Sequence, residues 1–131
     1  MSAMTQPYIL GFIALGGALG ACSRYLLSEL CATLLGRGFP YGTLTVNILG
    51  SLAMGLLIAA FEQGILDAAS PWRQVVGIGF LGALTTFSTF SMDNVLLMQQ
   101  GEFIKMGLNI LLNVVVCIFA AWAGFQLLMR L

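Results

Sequence analysis

Long apolar runs separated by short polar connections make up almost the whole chain. Met1 to Ser23 carries no formal charge, and apolar character continues past Arg24 and Glu29 to Leu35. Gly38 to Phe61, Gln74 to Met92 and Met106 to Met129 are also free of charge. A spanning helix needs roughly 20 mostly apolar residues. The pattern therefore predicts an all-α integral membrane protein: one transmembrane domain, 1–131, with helices over 7–35, 41–61, 72–98 and 103–129. Strands of a membrane barrel would alternate in polarity every second residue, and these runs do not. The connections are short and carry turn residues: Pro40, then Gly64 and Pro71, then Gly101. Tyr8, Tyr41, Phe61, Trp72 and Trp122 fall near predicted helix ends, where aromatic rings anchor at the interface. The first run has no basic start and is too long for a signal-peptide core, so it reads as a retained helix.

Composition narrows the class further. Of 131 residues, 60% are hydrophobic and 8% charged, against about 25% charged in soluble domains. Five Lys/Arg balance five Asp/Glu, and there is no histidine. That removes the basic footprint of a nucleic-acid binder and the commonest general base. It argues against an enzyme. Cys22, Cys31 and Cys117 have no metal-ligand spacing and read as packing residues.

Charge also bears on orientation. With four spans the two termini share a side with the second connection, which gives Arg73 and Arg130 on that side. Arg37 and Lys105 lie on the other, with Arg24 able to join them. The positive-inside rule finds no bias in such a balance. The plain reading is too few charges to decide. The sharper reading is dual topology, with an antiparallel homodimer as its assembly. Four helices are also few to enclose a polar path, which favours a path at a subunit interface. Gly16 with Gly20, Ser51 with Gly55, and Gly79 with Ala83 are spaced for close helix contacts.

The third run holds the densest chemistry. Gly77, Gly79 and Gly82 satisfy GxGxxG, but a dinucleotide site would require a strand before it. Thr85, Thr86, Ser88, Thr89 and Ser91 place five hydroxyls within seven positions. Such side chains compete for backbone hydrogen bonds, so glycines followed by this cluster predict a break at membrane depth. Broken helices offer backbone groups to ions; the competing reading is a continuous helix whose hydroxyls bond back to preceding carbonyls. Phe87 and Phe90 share a helix face, usually for packing. Their positive ring edges could instead line an anion path. Asn47 and the stripe Asn109, Asn113, Cys117 add neutral polar groups, and their amides supply N–H donors suited to an anion. Beside the hydroxyl cluster they favour an anion path through Asn109 and Asn113, against the plainer role of helix–helix bonding. Arg24 and Asp93 are charges within spans, suited to a vestibule or to a pair across subunits; Arg24 could also snorkel to the headgroups.

The stretches Gly82-Ala-Leu-Thr-Thr-Phe-Ser-Thr-Phe-Ser91, Gly42-Thr-Leu-Thr-Val-Asn47 and Gly16-Gly-Ala-Leu-Gly-Ala-Cys-Ser-Arg-Tyr25 resemble the Fluc/CrcB fluoride channels of bacteria. The resemblance covers essentially the whole chain. It implies a dual-topology antiparallel homodimer in the bacterial inner membrane, passively exporting fluoride through two shared pores. It implies that Phe87 and Phe90 line the anion path with Asn47 beside it, and that Ser88 and Thr89 form part of the polar path. It implies a structural sodium ion at the dimer centre, held by the carbonyls of Gly82 and Thr85 from both subunits. Two features depart from the family pattern. Its polar track on the fourth helix is commonly tyrosine with serine or threonine, where this chain has Asn109, Asn113 and Cys117. Its acidic residue after the second phenylalanine is often glutamate, where this chain has Asp93.

Two other readings stand beside this one. A dual-topology, proton-coupled small multidrug exporter would need an acidic residue deep in a helix, and Glu29 and Asp93 are both late in theirs. A scaffold subunit without transport would have no use for the hydroxyl cluster.

Overall fold

A computed structural model describes residues 6–131. Met1 to Thr5, the start of the first uncharged run, lie outside the described residues. The described residues are helical and contain no strand. Four helical spans are long and apolar enough to cross a membrane: Pro7–Leu35, Tyr41–Glu62, Arg73–Gln99 and Phe103–Met129.

The first span is one helix, α1 (Pro7–Leu35), and the second is α2 (Tyr41–Glu62). Pro7 occupies the first turn of α1, where its missing N–H costs nothing. Gly36 ends that helix with φ 86° and ψ 179°, a conformation essentially reserved for glycine. The third span starts as a π-helical stretch, Arg73–Leu81, and continues through α3 (Gly82–Leu84) to α4 (Phe87–Gln99). The fourth comprises α5 (Phe103–Leu111), a second π-helical stretch Leu112–Val116, and α6 (Cys117–Met129). Such wider turns are rare and collect at functional sites.

Packing pairs the spans. α1 lies along the first π-helical stretch, and α2 along α6. Glycine permits the first approach: a Cβ at Gly16 would collide with the Val75 carbonyl oxygen, and one at Gly20 with that of Phe80. Without a hydrophobic drive between helices in lipid, such close backbone contact is what holds them together. Val46, Leu57, Leu81 and Leu84 form the small buried core between α2 and the third span. Leu15, Leu19, Leu26 and Leu30 of α1 face outward, as expected of a surface solvated by acyl chains.

These contacts give a first prediction. Gly20→Val is expected to destabilise the fold by about 1–3 kcal/mol through overpacking. Gly11→Ala, where the added Cβ would meet nothing within 4 Å, is expected to leave it unchanged or slightly firmer. Thermal unfolding in detergent measures both; equal midpoints for the two variants would contradict the close contact.

Candidate functional site

Between α3 and α4, Thr85 and Thr86 have extended dihedrals, φ −82°, ψ 156° and φ −152°, ψ 121°. β-branched residues favour this region of backbone space. The amide hydrogens that would reach the Gly82 and Thr85 carbonyls in a continuous helix go elsewhere. Thr86 N–H donates to Asn47 Oδ1 at 2.8 Å, and Thr89 N–H donates to Thr86 Oγ1 at 3.2 Å. The second bond makes Thr86 the N-cap of α4. The dipole of α4 therefore starts, positive end first, beside Thr86.

Asn47, from α2, grips Thr86 on both sides. Its Oδ1 accepts the Thr86 N–H, and its Nδ2 donates to the Thr86 carbonyl at 3.1 Å. The same Nδ2 donates to Asn113 Oδ1 at 2.9 Å. Asn113 Nδ2 donates to both the carbonyl and Oδ1 of Asn109, each at 2.9 Å. Asn109 Nδ2 donates to Asn94 Oδ1 at 2.9 Å. Both amide hydrogens of Asn47 and of Asn113 thus have protein acceptors. An anion does not find free donors on them.

An open groove of about 460 Å³ runs along these residues. Asn47, Thr85, Thr86, Phe87, Phe90, Asn113 and Cys117 line it, and no formal charge does. Phe87 and Phe90 sit with ring centroids 5.4 Å apart and planes tilted by 56°. Phe90 is 7% exposed and Phe87 77% exposed, so one ring is seated in the protomer and the other projects from it. Asn109 is fully buried behind the groove. Ser88 is exposed and outside its lining, as is Gly82.

A second cavity, about 300 Å³, lies where the end of α1, the start of α2 and the middle of α4 meet. Ser28, Thr43, Thr89 and Asp93 line it together with Glu29 and Arg37. Asp93 Oδ2 is buried with no hydrogen-bond partner among the described residues. Arg37 pairs with Glu29 at 3.2 Å, and Lys105 with Glu102 at 3.9 Å. Those are the ion pairs among the described residues, so Arg24 and Asp93 do not meet within the protomer.

Two participants went unassigned from sequence. Asn94 shows itself only as an amide in an apolar span, and its partner Asn109 is on a different helix. Arg37 reaches Glu29 across the turn after α1, a contact that helical spacing does not anticipate.

The family profile described as "CrcB-like protein, Camphor Resistance (CrcB)" matches residues 11–125. A fluoride-specific ion channel FluC of Vibrio parahaemolyticus is 80% identical over 127 residues, 97% of this chain and 99% of the relative. Its namesake in Vibrio vulnificus is 77% identical over 125 residues, 95% of this chain and 98% of the relative. That of Vibrio cholerae is 70% identical over 122 residues, 93% and 96% respectively. With four membrane-length helices and a match across nearly its full length, this multi-pass membrane protein belongs to the CrcB-like family.

Proposed function

We propose that this chain is a fluoride-selective channel of the bacterial inner membrane, passively exporting fluoride, and that it works as an antiparallel dual-topology homodimer. The observation that carries the reading is the groove: two phenyl rings and neutral dipoles, with no charge, beside the start of α4. Fluoride is strongly hydrated, and a pore must replace its water at several sites without holding it. A full positive charge would hold it too firmly. Ring edges, hydroxyls and the N-terminal amides of α4 give weaker, successive contacts. The relatives named as fluoride-specific channels support the same ion.

The groove is open along one side in a protomer, and Phe87 projects from it. A second copy inserted the other way up closes it, and the balanced Lys/Arg distribution permits that insertion. Phe87 and Phe90 line the anion path in this reading, and the hydroxyls of Ser88 and Thr89 continue it outside the protomer's groove, Thr89 at the polar cavity. Asn47, Asn113 and the buried Asn109 hold the wall. Arg24 and Asp93 are the charges of the vestibules, with Asp93 already lining the polar cavity at one end.

A central sodium ion fits the donor set. The Thr86 and Thr89 amide hydrogens are engaged by side-chain oxygens, which leaves the Gly82 and Thr85 carbonyls without their helical donors. Half-helix C-terminal carbonyls are suited to sodium. Bound there, the ion supplies the positive charge that lets such carbonyls from two copies face one another. The discontinuity at Thr85 and Thr86 thus serves cation and anion on its two sides. Exchanging sodium for a bulky organic cation during purification is expected to lower the thermal midpoint of the assembly and its flux together. Unchanged values for both would remove the cation from the account.

Fluoride efflux from proteoliposomes tests the function, with chloride and a lipophilic cation as controls. Rapid loss of fluoride alone is the expected result. Proton-dependent cation flux without fluoride flux would replace this reading with the exporter.

A further inference from the structure

Four side-chain amides form one directed chain from Thr86 to Asn94, and its polarity is fixed at one end. The Thr86 N–H can only donate, so the atom facing it at 2.8 Å must be the oxygen of Asn47. Asn47 then turns its nitrogen to the Thr86 carbonyl and to Asn113. Asn113 must present oxygen there, which turns its nitrogen onto the carbonyl and Oδ1 of Asn109. Asn109 has only its nitrogen left, and Asn94 Oδ1 takes it. Each amide orientation follows from the one before it.

We propose that Asn94 is a positioning residue for conduction: by accepting from Asn109 it holds Asn113 and Asn47 in the orientation that keeps the groove wall neutral to an anion. The proposal rests on the fluoride reading. Asn94 lies outside the groove lining, while Asn47 and Asn113 are in it. Asn109 is fully buried and finds no water to replace a lost acceptor. Without Asn94 its amide swings, nitrogen faces nitrogen at Asn113, and the mismatch reaches Asn47. A swung amide in the wall offers either an oxygen that repels fluoride or free hydrogens that retain it. With each Nδ2 of Asn47 and Asn113 doubly engaged, the native wall does neither.

The test compares Asn94→Leu and Asn94→Asp in full-length protein reconstituted in liposomes, with size-exclusion elution as the folding check. Leu removes the acceptor; Asp keeps an oxygen in the same place for Asn109 Nδ2. The expected result is fluoride efflux slowed at least tenfold in Leu and held within twofold of the unsubstituted chain in Asp. The side-chain amide resonances of Asn47 should shift in Leu and stay in Asp. If Leu does not fold, Asn94→Ala takes its place with the same expectations. Normal efflux in the acceptor-free variant, equal losses in both variants, or unmoved Asn47 resonances would overturn the proposal while leaving the fluoride reading intact. Absence of fluoride efflux in the unsubstituted chain would overturn both.

Discussion

Asn47→Leu is expected to abolish fluoride flux and to weaken the fold more than any other single change along the groove. Asn47 satisfies the Thr86 N–H, the Thr86 carbonyl and Asn113 Oδ1 at once. Leucine leaves three polar atoms without partners at membrane depth. Each costs about 1–3 kcal/mol when buried unsatisfied, although alternative partners within a membrane bundle commonly soften the loss. Thr86 is also the N-cap of α4, so its displacement loosens that helix start as well. Asn47→Asp separates packing from hydrogen bonding. It keeps an oxygen for the Thr86 N–H but sets its second oxygen against two acceptors, the Thr86 carbonyl and Asn113 Oδ1. It should fail as leucine does. Thermal unfolding and efflux together check this, and native values in either variant would show that Thr86 does not depend on Asn47.

The two phenylalanines should separate conduction from stability. Phe87 is 77% exposed in the protomer, so Phe87→Ile removes little buried contact. Its melting is expected to stay near the native value while fluoride flux falls about tenfold. That magnitude follows from an aromatic contact of about 0.5–1.5 kcal/mol lost at the rate-limiting site, where about 1.4 kcal/mol is a factor of ten in rate. Phe90 is buried, so Phe90→Ile should slow flux by a similar factor and also cost about 1 kcal/mol of stability through imperfect repacking. Native flux in both variants would remove the rings from the path.

The four spans were legible because uncharged apolar runs of membrane length have few other uses. Their π-helical irregularity was not. The π-helical stretches Arg73–Leu81 and Leu112–Val116 change the period of the helix without changing its composition. Asn109 and Asn113 were visible as a stripe, because a four-residue repeat marks one helix face. What the stripe bonds to was hidden. Asn47 is 66 residues from Asn113, and only the packing of α2 on the fourth span brings them together. Counting amides as donors also missed that their hydrogens are already engaged. That depends on orientation, which residue type does not carry. Glu29, five residues from Arg24 and so off its helical pairing positions, meets Arg37 instead, beyond the glycine turn that ends α1. The pair is exposed and worth little to stability. Its place at the rim of the polar cavity is the more informative fact.

The central claim is passive, selective passage of fluoride past neutral groups. Reversal potential across a bilayer holding the reconstituted protein tests it most directly. With fluoride graded tenfold against constant chloride and pH, the account predicts a reversal shift of about 59 mV, the value for one monovalent ion. A potential that follows chloride or the proton gradient instead would contradict it.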